Sequence, residues 1–367
     1  MVRLMDALVK ETAGKGFARR AVPVPVPGPD EVLIRVHAAG ICGTDVHLYD
    51  WDPWAAARCA PPFVVGHEFA GEVVQLGRGV EGYAEGDRVS GEGHVVCGGC
   101  FSCRTGHAHL CAQTKIIGVD RDGCFAEFLC LPAANVWKID PNLPWDLAAM
   151  HDPLGNAMHA ISTAQVSGKT ALVTGCGPIG CAAVAMARAL GARAVIATDI
   201  SDFKLDLARR MGATHTVNAA REDVVKAVRT ATGGTGADVL LEMSGSPKAI
   251  VQGFEALRPA GRACLLGIPS REVPMNLSEL IILRGAEVFG IHGRRMFETW
   301  YQVTDFLKHH SPSLAPLVTH RFPMDRIDEA IEAIRGGLTG KVLLEVVSAR
   351  KVESRTDGCG EALGVRQ

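Results

Sequence analysis

The sequence lacks an excess of charge of one sign. Its 367 residues include 38 Lys and Arg and 40 Asp and Glu, which gives a formal net charge of −2. Proteins that bind nucleic acid or an anionic membrane surface usually carry a basic face. We therefore expect neither nucleic acid nor a membrane as a partner.

Long apolar segments are also missing. The chain has no run of about 18 apolar residues, the length at which a membrane-spanning helix becomes a candidate. The first residues, Met1–Asp6, include an early Asp and no apolar core of signal-peptide length. We therefore expect a cytoplasmic protein.

Cysteine, in contrast, is abundant, with 12 residues in the chain. Disulfides rarely persist in the cytosol, so we expect these side chains to be metal ligands or buried thiols. The apolar fraction of 47% and the charged fraction of 21% are those of a globular protein rather than a disordered one. A chain of this length has room for about two domains, each with its own core.

Two different patterns divide the chain. Residues 31–37 alternate apolar and polar with the period of a β-strand, and shorter β-like segments recur between Gly-rich turns at 64–65, 71–76 and 87–90. From about residue 166, strand-like segments alternate with helical ones, which is typical of a doubly wound parallel sheet. The predicted fold class is therefore α/β, a Rossmann-type parallel sheet beside a mostly-β domain.

The alternation predicts six strands, at 171–174, 194–198, 215–217, 239–243, 262–266 and 286–290. The helices between them are predicted to end near 191 and to span 202–211, 222–231 and 247–257, with a turn at 259–261. Beyond residue 294 the pattern predicts a helix at 297–309, a loop with Pro312 and Pro316, a helix at 325–335 and a strand at 341–347. We place the domains at 1–153 with 295–347, at 154–294, and a disordered tail at 348–367.

A Gly-x-Gly-x-x-Gly motif opens the second unit. Gly175, Gly177 and Gly180 follow a predicted strand and begin a predicted helix, and Asp199 lies 19 residues beyond Gly180. The N-terminus of such a helix offers unpaired N–H groups and positive potential to a pyrophosphate. This context indicates a dinucleotide site rather than ordinary strand-to-helix turns, which are the alternative for these glycines.

Asp199 is expected to accept hydrogen bonds from the ribose hydroxyls and to repel a 2′-phosphate, which favours NAD⁺ over NADP⁺. Lys204 lies close enough in sequence to contact the ribose, whereas Arg209 and Arg210 fit a solvated helix face. Further cofactor contacts are predicted in the first helical turn and at the ends of later strands: Ile179, Leu266, Gly267, Ile268, Gly290 and Ile291.

One Gly-rich stretch, Gly66–Gly71, places His67 beside Glu68. Cys42 lies 25 residues upstream of His67, and Asp152 adds a carboxylate further along the chain. Cysteine, histidine and carboxylate side chains are the usual ligands of a catalytic Zn²⁺. A satisfied core His or an inert buried Cys is the alternative for any one of these residues, but their combination favours a zinc site.

A second group of cysteines is more compact. Its spacing is Cys-x2-Cys-x2-Cys-x7-Cys, and four thiolates can close a tetrahedral zinc site of the structural kind. We therefore predict a structural zinc lobe at about 94–112. An iron–sulfur cluster, a disulfide pair and a nucleic-acid-binding zinc finger are the alternatives. The predicted ligands are Cys97, Cys100, Cys103 and Cys111.

Together these motifs resemble zinc-dependent medium-chain alcohol dehydrogenases, and the likeness runs from about residue 2 to about residue 347. The resemblance implies that the mostly-β unit is a GroES-like catalytic domain. The stretches that resemble this family most specifically are Ile41–His47, Trp51–Trp54, Ser90–His94, Asp152–His159 and Met296–Tyr301.

The resemblance also assigns roles to the candidate residues. It implies a proton relay through Thr44 and His47 and a substrate pocket lined by His94, for which a loop His bonded to the backbone is the alternative. It implies that Asp152 tunes the metal site without necessarily coordinating the ion. By the same resemblance, the catalytic zinc is held by Cys42, His67 and Glu68.

The reaction implied by the resemblance is the oxidation of a secondary alcohol by NAD⁺. The expected substrate is L-threonine, oxidised at its β-carbon to L-2-amino-3-oxobutanoate, and the alternative is a polyol or a simple secondary alcohol such as sorbitol or 2,3-butanediol. Two zinc ions per chain and a homotetramer are implied as well. The sequence departs from the family at His151, where an apolar residue is more usual, and at Cys59, where the side chain is more often larger.

Overall fold

The computed structural model describes residues 2–346, so the tail predicted at 348–367 lies outside the described residues. The first part of the chain is mostly strands: β1 (Leu4–Lys10), β2 (Ala18–Pro23), β3 (Glu31–Gly40), β4 (Phe63–Val64), β5 (Glu68–Leu76), β6 (Arg88–Gly91), β7 (His94–Val95), β8 (Lys115–Ile116), β9 (Phe128–Pro132) and β10 (Val136–Lys138). Three short helices interrupt them: α1 (Gly43–Asp50), α2 (Pro53–Arg58) and α3 (Phe101–Arg104).

From residue 145 onward, helices and strands alternate: α4 (Trp145–Ala148), α5 (His151–Ala164), β11 (Thr170–Thr174), α6 (Pro178–Ala189), β12 (Ala194–Asp199), α7 (Asp202–Arg210), β13 (His215–Asn218), α8 (Val224–Ala231), β14 (Ala237–Glu242), α9 (Pro247–Ala256), β15 (Leu257–Leu265) and β16 (Glu287–Gly290). A π-helical turn, Ser278–Ile282, precedes β16. The chain then continues through α10 (Glu298–Leu314), β17 (Val318–Pro323), α11 (Ile327–Arg335) and β18 (Lys341–Glu345).

Six strands form a wholly parallel sheet in the order β13-β12-β11-β14-β15-β16. β11 is buried along its whole length, because helices cover both faces of such a sheet. The helix α6 is rich in buried alanines, and these small side chains allow it to pack closely. The strand order reverses between β11 and β14, and ligands of open α/β sheets bind at that switch point. The predicted α/β class with a doubly wound sheet is confirmed.

A mixed sheet of seven strands is built around β3, in the order β10-β6-β5-β3-β18-β17, with β9 also paired to β3. β5 and β18 flank the end of β3, where Gly40 lies opposite Glu68 on one side and Leu343 on the other. The last strand of the chain therefore stands beside strands formed near its beginning. This register brings the start of β5 and the start of β18 to one place, which becomes part of the site below.

The helix α5 is the longest of the helices that the sequence analysis did not predict. Eleven of its 14 residues are buried, so most of its surface packs against other parts of the protein. Pro153 and Gly155 near its start are also poor helix formers in general. Proline is nevertheless tolerated in the first turn, where its missing N–H leaves no intrahelical bond unmade.

The loop predicted at Pro312 is wrong, because α10 continues through this residue to Leu314. A proline inside a helix removes one backbone hydrogen bond and crowds the preceding turn. Burial of Leu307 and Leu314, at 2% and 0% exposure, offsets this cost. Among the described residues, no helix combines the length and the apolar character required to span a bilayer.

Candidate active site and metal centres

The Gly175–Gly180 turn joins β11 to α6. Gly175 has a φ of 86°, in the left-handed region that favours glycine. A Cβ atom at Gly180 would lie 1.9 Å from the carbonyl oxygen of Gly175, so the turn can fold back on the helix only with glycine there. A Cβ atom at Gly177 would meet nothing within 4 Å, so the turn is open above the N-terminus of α6. This is the position at which a pyrophosphate binds in dinucleotide sites.

Asp199 stands beside this turn at the end of β12. Its Oδ2 accepts a hydrogen bond from the backbone N–H of Cys176 at 2.8 Å, and its Oδ1 accepts one from Ser201 at 2.9 Å. These bonds fix the carboxylate where the ribose hydroxyls of a dinucleotide are expected. Lys204 lies in the first turn of α7, which begins directly after Ser201.

The remaining predicted cofactor residues lie on neighbouring loops. The backbone N–H groups of Leu266 and Gly267 donate to the carbonyl oxygen of Glu242 at 2.9 and 3.1 Å, so the ends of β14 and β15 lie side by side. Ile291 is buried beyond β16, whereas Ile268 is 90% exposed and offers an apolar surface at this edge. The first turn of α6 and the end of β16 hold the last two predicted residues, Ile179 and Gly290.

Substitutions of Gly180 and Gly177, two of the three glycines of the turn, are expected to cause different defects. Gly180→Ala forces a methyl group against the backbone, so the free energy of unfolding should fall by about 2 to 3 kcal/mol. Gly177→Ala should leave the melting temperature unchanged but lower the affinity for NADH at least about tenfold, because the methyl group takes the space of a phosphate. Thermal melting and NADH fluorescence titration measure both effects. Unaltered NADH affinity in Gly177→Ala would contradict the assignment of the turn.

The loop before α1 and the start of β5 bring the first metal group together. Cys42 is the residue before α1, and His67 and Glu68 lie where the chain enters β5. One donor atom from each of the three lies within 4.8 Å of the other two. His67 and Glu68 are buried. A thiolate, an imidazole and a carboxylate leave the fourth tetrahedral position open, which is the arrangement of catalytic zinc sites.

A fully buried carboxylate, Asp45, lies behind His67. Its Oδ1 is 3.7 Å from Nδ1 of His67, so the carboxylate faces this nitrogen of the imidazole ring. Burial alone would lower the pKa of His67, but Asp45 and Cys42 outweigh it and raise that pKa to about 10. Burial raises the pKa of Asp45 to about 6. The donor atoms of Cys42, His67 and Glu68 are of the types that fit zinc.

Glu68 has a positively charged neighbour, Lys341, at the start of β18. The Lys341 ammonium contacts Oε2 of Glu68 and donates to the carbonyl oxygen of Ile41 at 2.9 Å. The two side chains meet across Gly40 of β3, where a Cβ atom would lie 2.2 Å from Oε2 of Glu68. The register of β5, β3 and β18 therefore holds this carboxylate between the metal group and a buried lysine.

Thr44 and His47 lie on α1 beside the metal group. Oγ1 of Thr44 is 3.9 Å from Sγ of Cys42, and the side chain of His47, one turn further along, is 58% exposed. Nδ1 of His47 is 2.6 Å from Oδ2 of Asp52, which orients the imidazole ring. The helix thus places a hydroxyl next to the metal group and an imidazole at the surface, an arrangement suited to moving a proton to solvent.

Asp152, in the first turn of α5, lies outside the Cys42, His67 and Glu68 group. Its donor oxygen instead lies within 4.8 Å of donor atoms of Glu92 and His94. Oδ1 of Asp152 is 2.7 Å from Nη1 of Arg294, and Oδ2 is buried without a hydrogen-bond partner among residues 2–346. Burial raises the pKa of Asp152. The structure therefore places this carboxylate beside the metal group rather than within it.

His151, the departure noted in the sequence, is buried one residue earlier. Its ring stacks on Trp300 with centroids 5.5 Å apart, and its Nδ1 lies 2.9 Å from the carbonyl oxygen of Ala148. Burial lowers the pKa of His151 to about 4. The imidazole is thus a neutral packing residue behind the site at neutral pH.

This pKa predicts a loss of stability in acid. The unfolded chain protonates His151 near its usual pKa of about 6.5, so stability falls as the pH drops from about 6.5 to about 4, by up to about 3 kcal/mol. His151→Phe should remove this part of the pH dependence, whereas His215→Phe, at an exposed position, should not. Urea unfolding at a series of pH values measures the difference. Parallel pH profiles for the parent protein and His151→Phe would refute the burial account.

The second metal group lies in the lobe around α3. The sulfur atoms of Cys100 and Cys103 are 3.5 Å apart, those of Cys100 and Cys111 are 3.8 Å apart, and those of Cys111 and Cys97 are 3.6 Å apart. A tetrahedron with Zn–S bonds of about 2.3 Å has edges of about 3.8 Å, so the four thiols fit one zinc ion. Disulfide bonds are absent among the described cysteines. An iron–sulfur cluster distributes its cysteines over several iron atoms and separates them further.

Several charged residues of the site were missed by sequence reasoning. Two of them, Asp45 and Glu92, lie inside stretches that carry the family resemblance, and this was a usable signal. The other two, Arg294 and Lys341, join the site from the far end of the chain. No local spacing marks them, because the fold alone brings them there.

A dinucleotide turn at the switch point of a parallel sheet, in one chain with a three-donor and a four-cysteine zinc group, defines an oxidoreductase that combines zinc with a nicotinamide dinucleotide. Residues 28–141 match the family model described as alcohol dehydrogenase GroES-like domain, and residues 178–309 match that of zinc-binding dehydrogenase. The chain belongs to the zinc-dependent medium-chain alcohol dehydrogenase family.

Individual relatives are similar over nearly the whole chain. The L-threonine 3-dehydrogenase of Pyrococcus horikoshii is 47% identical, with 94% of this chain and 99% of that protein covered. That of Bacillus licheniformis is 48% identical, with 93% and 98% covered. Among solved structures, an alcohol dehydrogenase of Thermotoga maritima is 28% identical with a TM-score of 0.87, and 94% of this chain and 99% of that chain are covered. The (2R,3R)-butanediol dehydrogenase of Bacillus subtilis is also 28% identical, with a TM-score of 0.85 and coverage of 93% and 99%.

Proposed function

We propose that the protein oxidises L-threonine at its β-carbon with NAD⁺ and forms L-2-amino-3-oxobutanoate, NADH and a proton. The observation that carries this proposal is the 47–48% identity, over nearly the full length, to L-threonine 3-dehydrogenases. The site supports the same chemistry, since a three-donor zinc group and a dinucleotide turn are what the oxidation of a secondary alcohol requires.

Each part of the chain has a role in this proposal. Cys42, His67 and Glu68 would hold a zinc ion, which would supply a Lewis acid that makes a substrate hydroxyl more acidic. Thr44 accepts the proton beside the metal group, and His47 passes it to solvent from the surface of α1. Asp152 lies beside the metal group, and its buried Oδ2 has no hydrogen-bond partner among residues 2–346. His94 lies close to Asp152 and lines the substrate pocket in this proposal.

We infer further that NAD⁺ is preferred to NADP⁺, because the fixed carboxylate of Asp199 would repel a 2′-phosphate. A similar dehydrogenase structure from Sinorhizobium meliloti, 30% identical with a TM-score of 0.86, is bound to NADP. The preference of this protein is therefore measured by comparing kcat/KM for NAD⁺ with kcat/KM for NADP⁺. The domain division at 153/154 and 294/295, a cytoplasmic location and a homotetramer belong to the same proposal.

The second candidate function is the oxidation of a polyol or a simple secondary alcohol. It is favoured by the fold similarity to a butanediol dehydrogenase. That similarity comes with 28% identity, whereas the similarity to L-threonine 3-dehydrogenases comes with 47%. The fold is shared by enzymes with different substrates, so the sequence similarity is the better guide.

A substrate panel with a metal-site variant tests this proposal. NADH formation should show a kcat/KM for L-threonine at least about tenfold above those for sorbitol, 2,3-butanediol and a primary alcohol. Cys42→Ser should abolish turnover and lose one of the two zinc ions while still binding NADH, because it removes a ligand from the open zinc group only.

Cys130→Ser is the matched control, since Cys130 lies in β9, outside both groups of metal ligands. It should keep its zinc content and its turnover. Full activity of Cys42→Ser would exclude zinc catalysis at this group. A higher kcat/KM for sorbitol or 2,3-butanediol than for L-threonine would exclude the proposed substrate and leave the zinc assignment intact.

A further inference from the structure

A second mixed cluster lies beside the Cys42 group. Glu92, His94 and Asp152 each offer one donor atom, and these three atoms lie within 4.8 Å of one another. Two carboxylates and an imidazole are donor types that divalent cations accept. By composition alone the cluster would be a candidate for a third metal ion.

The guanidinium of Arg294 occupies this cluster. Its Nε donates to Oε2 of Glu92 at 2.8 Å, and its Nη1 lies 2.7 Å from Oδ1 of Asp152. Its Nη2 contacts both Oε1 of Glu92 and Nδ1 of His94. The Arg294 side chain is only 3% exposed. A single planar cation therefore touches all three donors of the cluster.

The surrounding residues are arranged around this side chain. A Cβ atom at Gly155 would lie 2.7 Å from Cγ and Cδ of Arg294, so the aliphatic part of the arginine runs over a glycine of α5. Glu92, which is fully buried, also accepts hydrogen bonds from the indole Nε1 of Trp300 at 2.9 Å and from the backbone N–H of His94 at 3.0 Å. Both oxygens of the Glu92 carboxylate therefore already accept hydrogen bonds, and these bonds fix the side of the guanidinium that faces Glu92.

Asp152 is the exception in this cluster. Arg294 engages its Oδ1, while its Oδ2 has no hydrogen-bond partner in the described part of the chain and is buried. A metal ion in the place of Arg294 could draw in both carboxylate oxygens, because carboxylates bind such ions through one or two oxygens. The guanidinium cannot do so, because its five N–H groups are all used: Nη1 also donates to Oδ1 of Asn156 at 3.4 Å.

We propose that Arg294 is a positioning residue that takes the place of a third metal ion. It holds Glu92, His94 and Asp152 together through a fixed fork of N–H groups and leaves one oxygen of Asp152 available next to the zinc group. A rigid organic cation is suited to this task, because its donors are directional and it cannot be exchanged with solvent ions. These contacts join side chains of the protein to one another, so they are the same whichever alcohol is the substrate.

Removal of Arg294 tests the proposal through metal content. Arg294→Ala leaves two buried carboxylates without their cation and opens space between three donors, so the variant should bind one zinc ion per chain more than the parent protein. Its melting temperature should also rise on addition of Zn²⁺, whereas that of the parent protein should not. Zinc is counted by atomic emission after gel filtration in Zn²⁺-containing buffer. The double variant Glu92→Gln/Arg294→Ala should lose the additional ion.

Arg294→Lys is the matched variant that keeps the charge but loses the fork. It should bind no additional zinc, and its kcat should fall by about a hundredfold with an unchanged KM for NAD⁺, because Asp152 and His94 are no longer held in place. An unaltered zinc count in a folded Arg294→Ala protein would overturn the proposal. So would an Arg294→Lys enzyme with the kcat of the parent protein. Both comparisons are made with the parent protein, so a wrong substrate assignment would be recognised separately by the substrate panel.

Discussion

Buried negative charge in the cleft exceeds the positive charge that the nearby side chains provide. Four carboxylates are at most 6% exposed there: Asp45, Glu68, Glu92 and Asp152. Three buried side chains face them as cations: Lys341, Arg294 and His67, whose pKa is raised to about 10. One negative charge is therefore left over, and a second appears when the thiol of Cys42 ionises. Unpaired buried charges cost several kcal/mol each, so the site favours a divalent cation bound by Cys42, His67 and Glu68.

The two sheets supply this arrangement in different ways. In the mixed sheet, the register of β3 with its neighbours places Glu68 opposite Gly40 and brings Lys341 alongside. In the parallel sheet, the reversal of strand order beside β11 opens the crevice in which the Gly175–Gly180 turn lies. α5 connects the two, since it carries Asp152 in its first turn and then packs into the core shared with α6. The metal group and the cofactor turn are thus fixed by separate sheets and joined by one buried helix.

Local patterns were sufficient to predict much of this from the sequence. The cofactor turn is a contiguous motif: Gly175 adopts a left-handed φ, Gly180 avoids a clash with the backbone, and Gly177 leaves space above the helix. The four-cysteine group likewise lies within 15 residues. The strand and helix alternation after residue 166 is equally local. Cys42 and His67 required a combination of separated motifs, and the family resemblance provided it.

What could not be predicted depends on contacts between distant parts of the chain. Arg294 meets Glu92 across 202 positions, and Lys341 reaches Ile41 across 300, so neither leaves a trace in local spacing. α5 escaped prediction because Pro153 and Gly155 near its start disfavour a helix locally, and the helix depends on packing in the core, where eleven of its residues are buried. The position of Asp152 outside the three-donor group likewise follows from its pairing with Arg294, which only the fold reveals.

The most direct measurement is anomalous diffraction at the zinc absorption edge from crystals grown with NADH. We expect two zinc peaks per chain, one among Cys97, Cys100, Cys103 and Cys111 and one among Cys42, His67 and Glu68, with the nicotinamide ring in the same cleft as the second peak. A crystal in which the dinucleotide lies over Gly177 but no zinc is found beside Cys42, or in which the two do not share a cleft, would contradict the claim that a zinc ion and the nicotinamide meet at one site.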